Sequence, residues 1–192
     1  STQIEEMSFF ADHQNIQVLD LNTFCSFNSE FAEFQNLKLI TPNSQFITDI
    51  SMRYPKEGFR NFHDDVSIDA VVQDSFMGLE EFQFLVPNVF GSETIFLDQL
   101  NFSGTLSEYA VDSIRINYEK SNFLGSFTFN TSKDASKLTI QELSINPKDI
   151  QTLFPSLEKS SVEVLKRFEK ANIIGTLASQ SANHKLNLSV GS

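Results

Sequence analysis

Tryptophan is absent from this 192-residue chain, and cysteine occurs once, as Cys25. A lone cysteine excludes an intramolecular disulfide, so it carries no information on redox compartment and is read as a small core filler. There are three histidines and no HExxH, P-loop, GxSxG or GxGxxG pattern. No familiar catalytic or nucleotide-binding motif is therefore on offer. No stretch approaches the roughly 18 apolar residues needed for a membrane-spanning helix. Positive charge is scarce as well, with 14 Lys and Arg against 25 Asp and Glu and a formal net charge of −11. Such a chain repels phosphate backbones, so nucleic acid is not an expected partner.

What is abundant is phenylalanine, 20 of the 23 aromatic residues. Tyr and Trp serve where a ring must present a polar edge, so this bias fits either a dry core or a surface meant to stay wholly apolar. The stretch Asn101 to Asn130 shows how the rings are used. Ile114, Ile116 and Tyr118 alternate with Arg115 and Asn117, and Phe123, Gly125, Phe127 and Phe129 alternate with Leu124, Ser126 and Thr128. Period-two alternation predicts two strands with one apolar face each, joined through Glu119, Lys120, Ser121 and Asn122 as an antiparallel hairpin.

The pattern repeats. A constant offset of 77 residues carries Leu37, Leu39, Phe46, Ile50 and Met52 onto Ile114, Ile116, Phe123, Phe127 and Phe129. Ser29-Glu30-Phe31-Ala32 matches Ser107-Glu108-Tyr109-Ala110 after a one-residue gap. Gly175-Thr176-Leu177 matches Gly104-Thr105-Leu106, placing Leu186 and Leu188 where Ile114 and Ile116 stand. The expected organisation is one continuous β-rich array with units near 31–106 and 107–177, flanked by partial units 1–30 and 178–192. Because it begins at Ser1 without Met, the chain is read as an interior segment of a longer protein.

In chain order, residues 3–11 and 14–22 predict a first hairpin, and 34–40 and 45–54 a second that Pro55 closes. Val66, Ile68, Ala70 and Val72 share one face of the next strand. A helical turn or two is expected over Ser75 to Val86, stopped by Pro87, with a counterpart after Asn146 that Pro155 ends. There Asn146 should cap, Pro147 should take the first helical position and Asp149 should favour the helix N-terminus. Leu138 and Ile140 differ in parity from Leu143 and Ile145, which predicts a bulge near Gln141. An amphipathic helix is expected over Ser161 to Lys170, and last strands near 171–180 and 183–190. The total is about eleven strands and three short helices.

Few residues suggest chemistry. His63-Asp64-Asp65 has one histidine and no ligand spacing, so a solvated loop is expected and neither a metal nor a cofactor is assigned. The sequons at Asn101, Asn130 and Asn187 carry no weight in an Asn- and Ser-rich chain. The distinctive feature is an apolar stripe crossing neighbouring strands. It comprises Leu37 and Leu39; Phe46, Ile50 and Met52; Val66 and Ile68; Ile114 and Ile116; Phe123, Phe127 and Phe129; Leu138 and Ile140; and, at the end, Leu186 and Leu188. Periodicity alone favours the inside of a closed sandwich or barrel; the functional alternative is an open curved sheet with a lipid-sized groove.

The run SGTLSEYAVDSIRINYEKSNFLGSFTF, then LTIQELSINPKDIQTLFPSL, then ANIIGTL resembles AsmA-like envelope proteins, most closely their TamB branch. The order of elements over residues 93–190 carries the resemblance, and 29–92 is a weaker copy. It implies an all-β fold, a curved, incompletely closed, taco-like and mainly antiparallel sheet of repeated units with a few short helices. It also implies a periplasmic, non-enzymatic conduit for phospholipid between inner and outer membranes, with an inner-membrane anchor and an Omp85-type outer-membrane barrel partner outside this segment. The stripe would then line the lipid groove. The alternative is a scaffold or chaperone-like module that holds outer-membrane protein strands at its sheet edges.

Overall fold

A computed structural model describes residues 2–4, 9–11, 16–56, 60–82, 91–155, 171–181 and 183–191. The strands are β1 (Thr2–Ile4), β2 (Phe9–Ala11), β3 (Ile16–Val18), β4 (Asp20–Phe27), β5 (Phe31–Ile40), β6 (Gln45–Arg53) and β7 (Ser67–Gly78). They continue with β8 (Thr94–Gly104), β9 (Glu108–Tyr118), β10 (Ser121–Asn130), β11 (Ala135–Ile145), β12 (Ala171–Gln180) and β13 (Asn183–Gly191). Two α-helices, α1 (Phe62–Asp65) and α2 (Pro147–Leu153), and a 3-10 helix, Leu79–Phe82, join them.

Eleven of the strands form one antiparallel sheet in the order β1-β4-β5-β6-β7-β8-β9-β10-β11-β12-β13, and β1 and β13 do not meet. The sheet is therefore unclosed, as the taco-like fold class requires. From β4 onward each strand pairs with the next along the chain; short turns return it at β4–β5, β5–β6, β8–β9, β9–β10, β10–β11 and β12–β13, and longer connections at β6–β7, β7–β8 and β11–β12. The β9–β10 turn is only Glu119 and Lys120, with Glu119 at φ 47°, which makes the predicted hairpin two residues tighter than expected.

Irregularities lie within the strands. Asn36, Asp74 and Ser113 have φ of 50°, 44° and 54° and stand at or beside register shifts in β5, β6–β7 and β9. A shift between Ile140 and Leu143 realises the bulge expected near Gln141. These positions fall in neighbouring rows across the sheet, and aligned bulges bend it. Asn36 and Ser113 are themselves 77 residues apart, so the crease belongs to the repeat.

Several expectations are corrected. The hairpin expected over 3–11 and 14–22 holds one register, with Ile4 opposite Thr23 and Phe9 opposite Val18, but its second arm runs on to Cys25 and carries β1 into the main sheet beside β4. Ser75 to Gly78 continue β7, because the Asp74 bulge keeps the chain in the ladder. The helical turn begins only at Leu79, and 83–90 lie outside the described residues. The helix expected over 161–170 also lies outside them. The match of Ser29–Ala32 to Ser107–Ala110 is one residue out of structural register, since the bulges at Asn36 and Ser113 hold the 77-residue offset and make Ala32 equivalent to Tyr109. Gly104 ends β8, whereas Gly175 lies mid-strand opposite Ile140 and Leu188, so the third copy is displaced. Gly175 has φ +155°, and any Cβ there would meet Leu188 at 2.8 Å. Of the thirteen described strands eleven make the main sheet, against about eleven expected.

Candidate functional site

Residues directly opposite in an antiparallel ladder point to the same side of the sheet, so the register assigns every stripe residue to a face. Leu39 stands opposite Phe46, Leu37 opposite Thr48, and Ile50 and Met52 opposite Ala70 and Ile68. Ile68 and Ala70 face Gly104 and Phe102, which in turn face Tyr109 and Val111. Ile116 and Ile114 oppose Phe123 and Gly125, Phe127 opposes Leu138, and Gly125 also opposes Ile140. Phe129 opposes Ser136. Leu138 and Ile140 oppose Leu177 and Gly175, and these oppose Leu186 and Leu188. All stripe residues in strands therefore share one face. Val66 lies outside the ladder, just before β7, and is fully buried at 0 % exposure.

No Asp, Glu, Lys or Arg of a regular ladder pair falls on that face among the described residues. The opposite face carries Lys38, Asp49, Arg53, Asp69, Asp112, Arg115, Lys137 and Lys185. Eleven strands at about 4.8 Å spacing make the apolar face roughly 50 Å long across the strands. Few of its side chains are fully buried. Phe127, Phe129, Leu138 and Ile140 are half-buried, and Leu186 and Leu188 are 63 % and 43 % exposed. Cys25 is buried on this face, its thiol donating to Thr2 O at 3.3 Å.

Two features shape it. At the hairpin end of β8–β10, Tyr109 stacks on Phe102 at 5.2 Å and lies 6.0 and 5.4 Å from Phe127 and Phe129. At the helix end is an apolar hollow of about 600 Å³, walled by the ends of β7–β11 and by Leu79, Ile150, Leu153 and Phe154. Its volume is that of a small-ligand site. Of the stripe, only Ile116 and Phe123 reach this hollow; Met77, Ile95, Tyr118, Leu143 and Ile145 complete the strand side. Phe123 can lie across Gly125 because glycine leaves the space: a Cβ there would come within 2.6 Å of the ring. Leu143 and Ile145 had a readable signal, the parity change that the bulge absorbs. Leu79 and Leu153 had none beyond following a strand.

Polar clasps hold the helices over this end. Asn146 caps α2 by accepting from Lys148 N, and Pro147 opens it, as expected. The buried Asp149 carboxylate accepts from Lys120 N at 3.0 Å and Ser121 Oγ at 2.8 Å, and Ser121 Oγ accepts from Asn146 N at 2.9 Å. Burial, with the Glu93 carboxylate that its hydroxyl meets, pushes Tyr118 up to about 12. At the far end of the sheet Ser107 donates to Asp64 on α1, which with Asn61 holds that carboxyl below its usual range. Among the described residues no cluster of His, Cys, Asp and Glu could hold a metal, and no helix is long and apolar enough to cross a membrane.

Comparison with protein-family models, with curated proteins and with solved structures returns no match.

Proposed function

We propose that the apolar face is an acyl-chain-binding trough and that the chain is a non-enzymatic length of a lipid conduit. One observation carries this reading: a face without ladder-borne charge crosses all eleven strands of an unclosed sheet, and most of its side chains remain half-exposed. A dry core would bury those residues against a second layer. A contiguous apolar surface of this extent marks a binding surface. The resemblance to AsmA-like proteins supplies the setting: the periplasm, phospholipid as cargo, and an Omp85-type barrel reached through other parts of a longer protein. Protein purified from cells should yield phospholipid on solvent extraction and in native mass spectra. Lipid-free protein that also fails to take up phospholipid from vesicles would refute the proposal.

The scaffold reading is favoured by one feature of its own. Every residue of β13 is exposed, and its outer edge is unpaired among the described residues. Such an edge can accept an extended strand by β-augmentation. Photo-crosslinkers at Phe127 and at Asn187 separate the two readings. Lipid adducts at Phe127 support the trough, and protein adducts confined to Asn187 support the scaffold.

A further inference from the structure

The apolar face changes character along its strands, and on β11, β12 and β13 the change runs the same way. At the helix end of β9–β11 it is the apolar hollow beneath α2, lined by Leu143 and Ile145 from the sheet and by Leu153 and Phe154 from the helix end. At the hairpin end the same face turns polar: Ser136 stands opposite Ser179, and Ser179 opposite His184. Tyr109 lies at this end as well, opposite Phe129, which itself opposes Ser136. These side chains bring hydroxyl and imidazole groups, all able to donate hydrogen bonds, to one row of an otherwise apolar surface.

Leu143 to Ser136 spans seven residues of β11, or about 23 Å at the rise of an extended strand. One leaflet of a bilayer, hydrocarbon and head group together, is about 20–22 Å deep. We propose that a lipid lies along β9–β13 with its chain terminus in the hollow beneath α2 and its head group at the Ser136–Ser179–His184 row. This assignment rests on the trough reading and adds a direction to it. The occupant is an amphiphile with a hydrogen-bond-accepting head group, such as a phosphodiester or glycerol ester. The hollow excludes the head because no charged side chain lines it, and its polar lining groups are few: Ser121 and Asn122, with Tyr118 contributing a hydroxyl directed to Glu93. A buried head group would lose its hydration without replacement bonds.

The test uses the full chain and two phosphatidylcholine probes presented in vesicles, one with a diazirine at the end of an acyl chain and one with it in the head group. After irradiation, peptides are mapped by mass spectrometry. The chain-end probe should label residues 143–154 several-fold more than 135–137 and 179–185, and the head-group probe should show the reverse. Equal or inverted distributions would overturn the direction while leaving the trough intact. Failure of both probes to give labelling that excess unlabelled lipid competes away would overturn the trough as well.

Discussion

Two stretches of the sheet, β5–β8 and β9–β12, are built to the same plan. In the first, Glu81 of the 3-10 helix accepts from Asn43 N, Thr41 Oγ1 and Ser44 Oγ, and Ser44 Oγ accepts from Gly78 N. In the second, Asp149 of α2 accepts from Lys120 N and Ser121 Oγ, and Ser121 Oγ accepts from Asn146 N. Asn43 and Ser44 lead Lys120 and Ser121 by 77 residues, and Gly78 and Glu81 lead Asn146 and Asp149 by 68. Each short helix is thus tied to the preceding hairpin by one carboxylate and one serine. Of the four equivalent turn positions only Ser44 and Ser121 keep the same residue, and the exchange that reaches the hollow is Thr41 for Tyr118. Thr41 turns its hydroxyl into the clasp, while the Tyr118 ring walls the hollow and its hydroxyl goes to Glu93. The shared clasp sets the architecture; the exchanged residue decides whether the helix end is filled with polar contacts or lined by an apolar ring.

The largest effect should come from breaking the second clasp. Asp149→Ala removes a buried charged acceptor and strands two donors, at a cost of about 3 kcal/mol, which is about 6–12 °C in Tm for a domain of this size. Glu81→Ala should cost about half as much, because that carboxylate is less buried and the 3-10 helix lacks the Asn146–Pro147 start; hydrogen bonds to charged groups set the scale. Equal losses in denaturant titrations would mean that the cap and burial make no difference. Ser44→Ala should cost about 1–3 kcal/mol by leaving the buried Gly78 N–H unpaired. Ser121→Ala should cost less, since Ser121 is half-exposed, and the reverse order would break the equivalence of the two clasps. The smallest effect concerns Tyr118. Its ionisation lies above the ordinary value of about 10, so the neutral hydroxyl is favoured by folding. That contribution is intact below pH 10 and is lost as pH rises through about 12. Tyr118→Phe should leave the neutral-pH melt almost unchanged and remove part of the alkaline destabilisation.

Much of this was legible in the sequence because period-two alternation survives wherever the ladder is regular. The stripe from Leu37 to Leu188 came out on one face for that reason. Alternation fails where a bulge inserts a residue: Asp74 hid the continuation of β7 and made Ser75 to Gly78 look like the start of a helix. Ser113 likewise shifts the register by one residue, so that Val111 and not Asp112 stands opposite Phe127. The hollow was only half visible, since Leu79, Leu153 and Phe154 are brought to it by the clasps. The repeat spacing holds the information for these clasps, but single carboxylates and serines carry no pattern of their own.

The central claim, that the apolar face is an open acyl-binding surface and not a dry core, is tested most directly at Phe127. In the ladder this residue is flanked by Val111 and Leu138, with no basic residue on the same face among its register neighbours. In a dry core, Phe127→Glu would bury an unpaired carboxylate at a cost of several kcal/mol and abolish cooperative folding. On an open trough, water reaches the carboxylate once lipid has left. Circular dichroism melts paired with phospholipid extraction should show a cooperatively folded variant, its Tm lowered modestly and its bound lipid strongly reduced. Loss of the cooperative transition, or a folded variant with unchanged lipid content, would contradict the account.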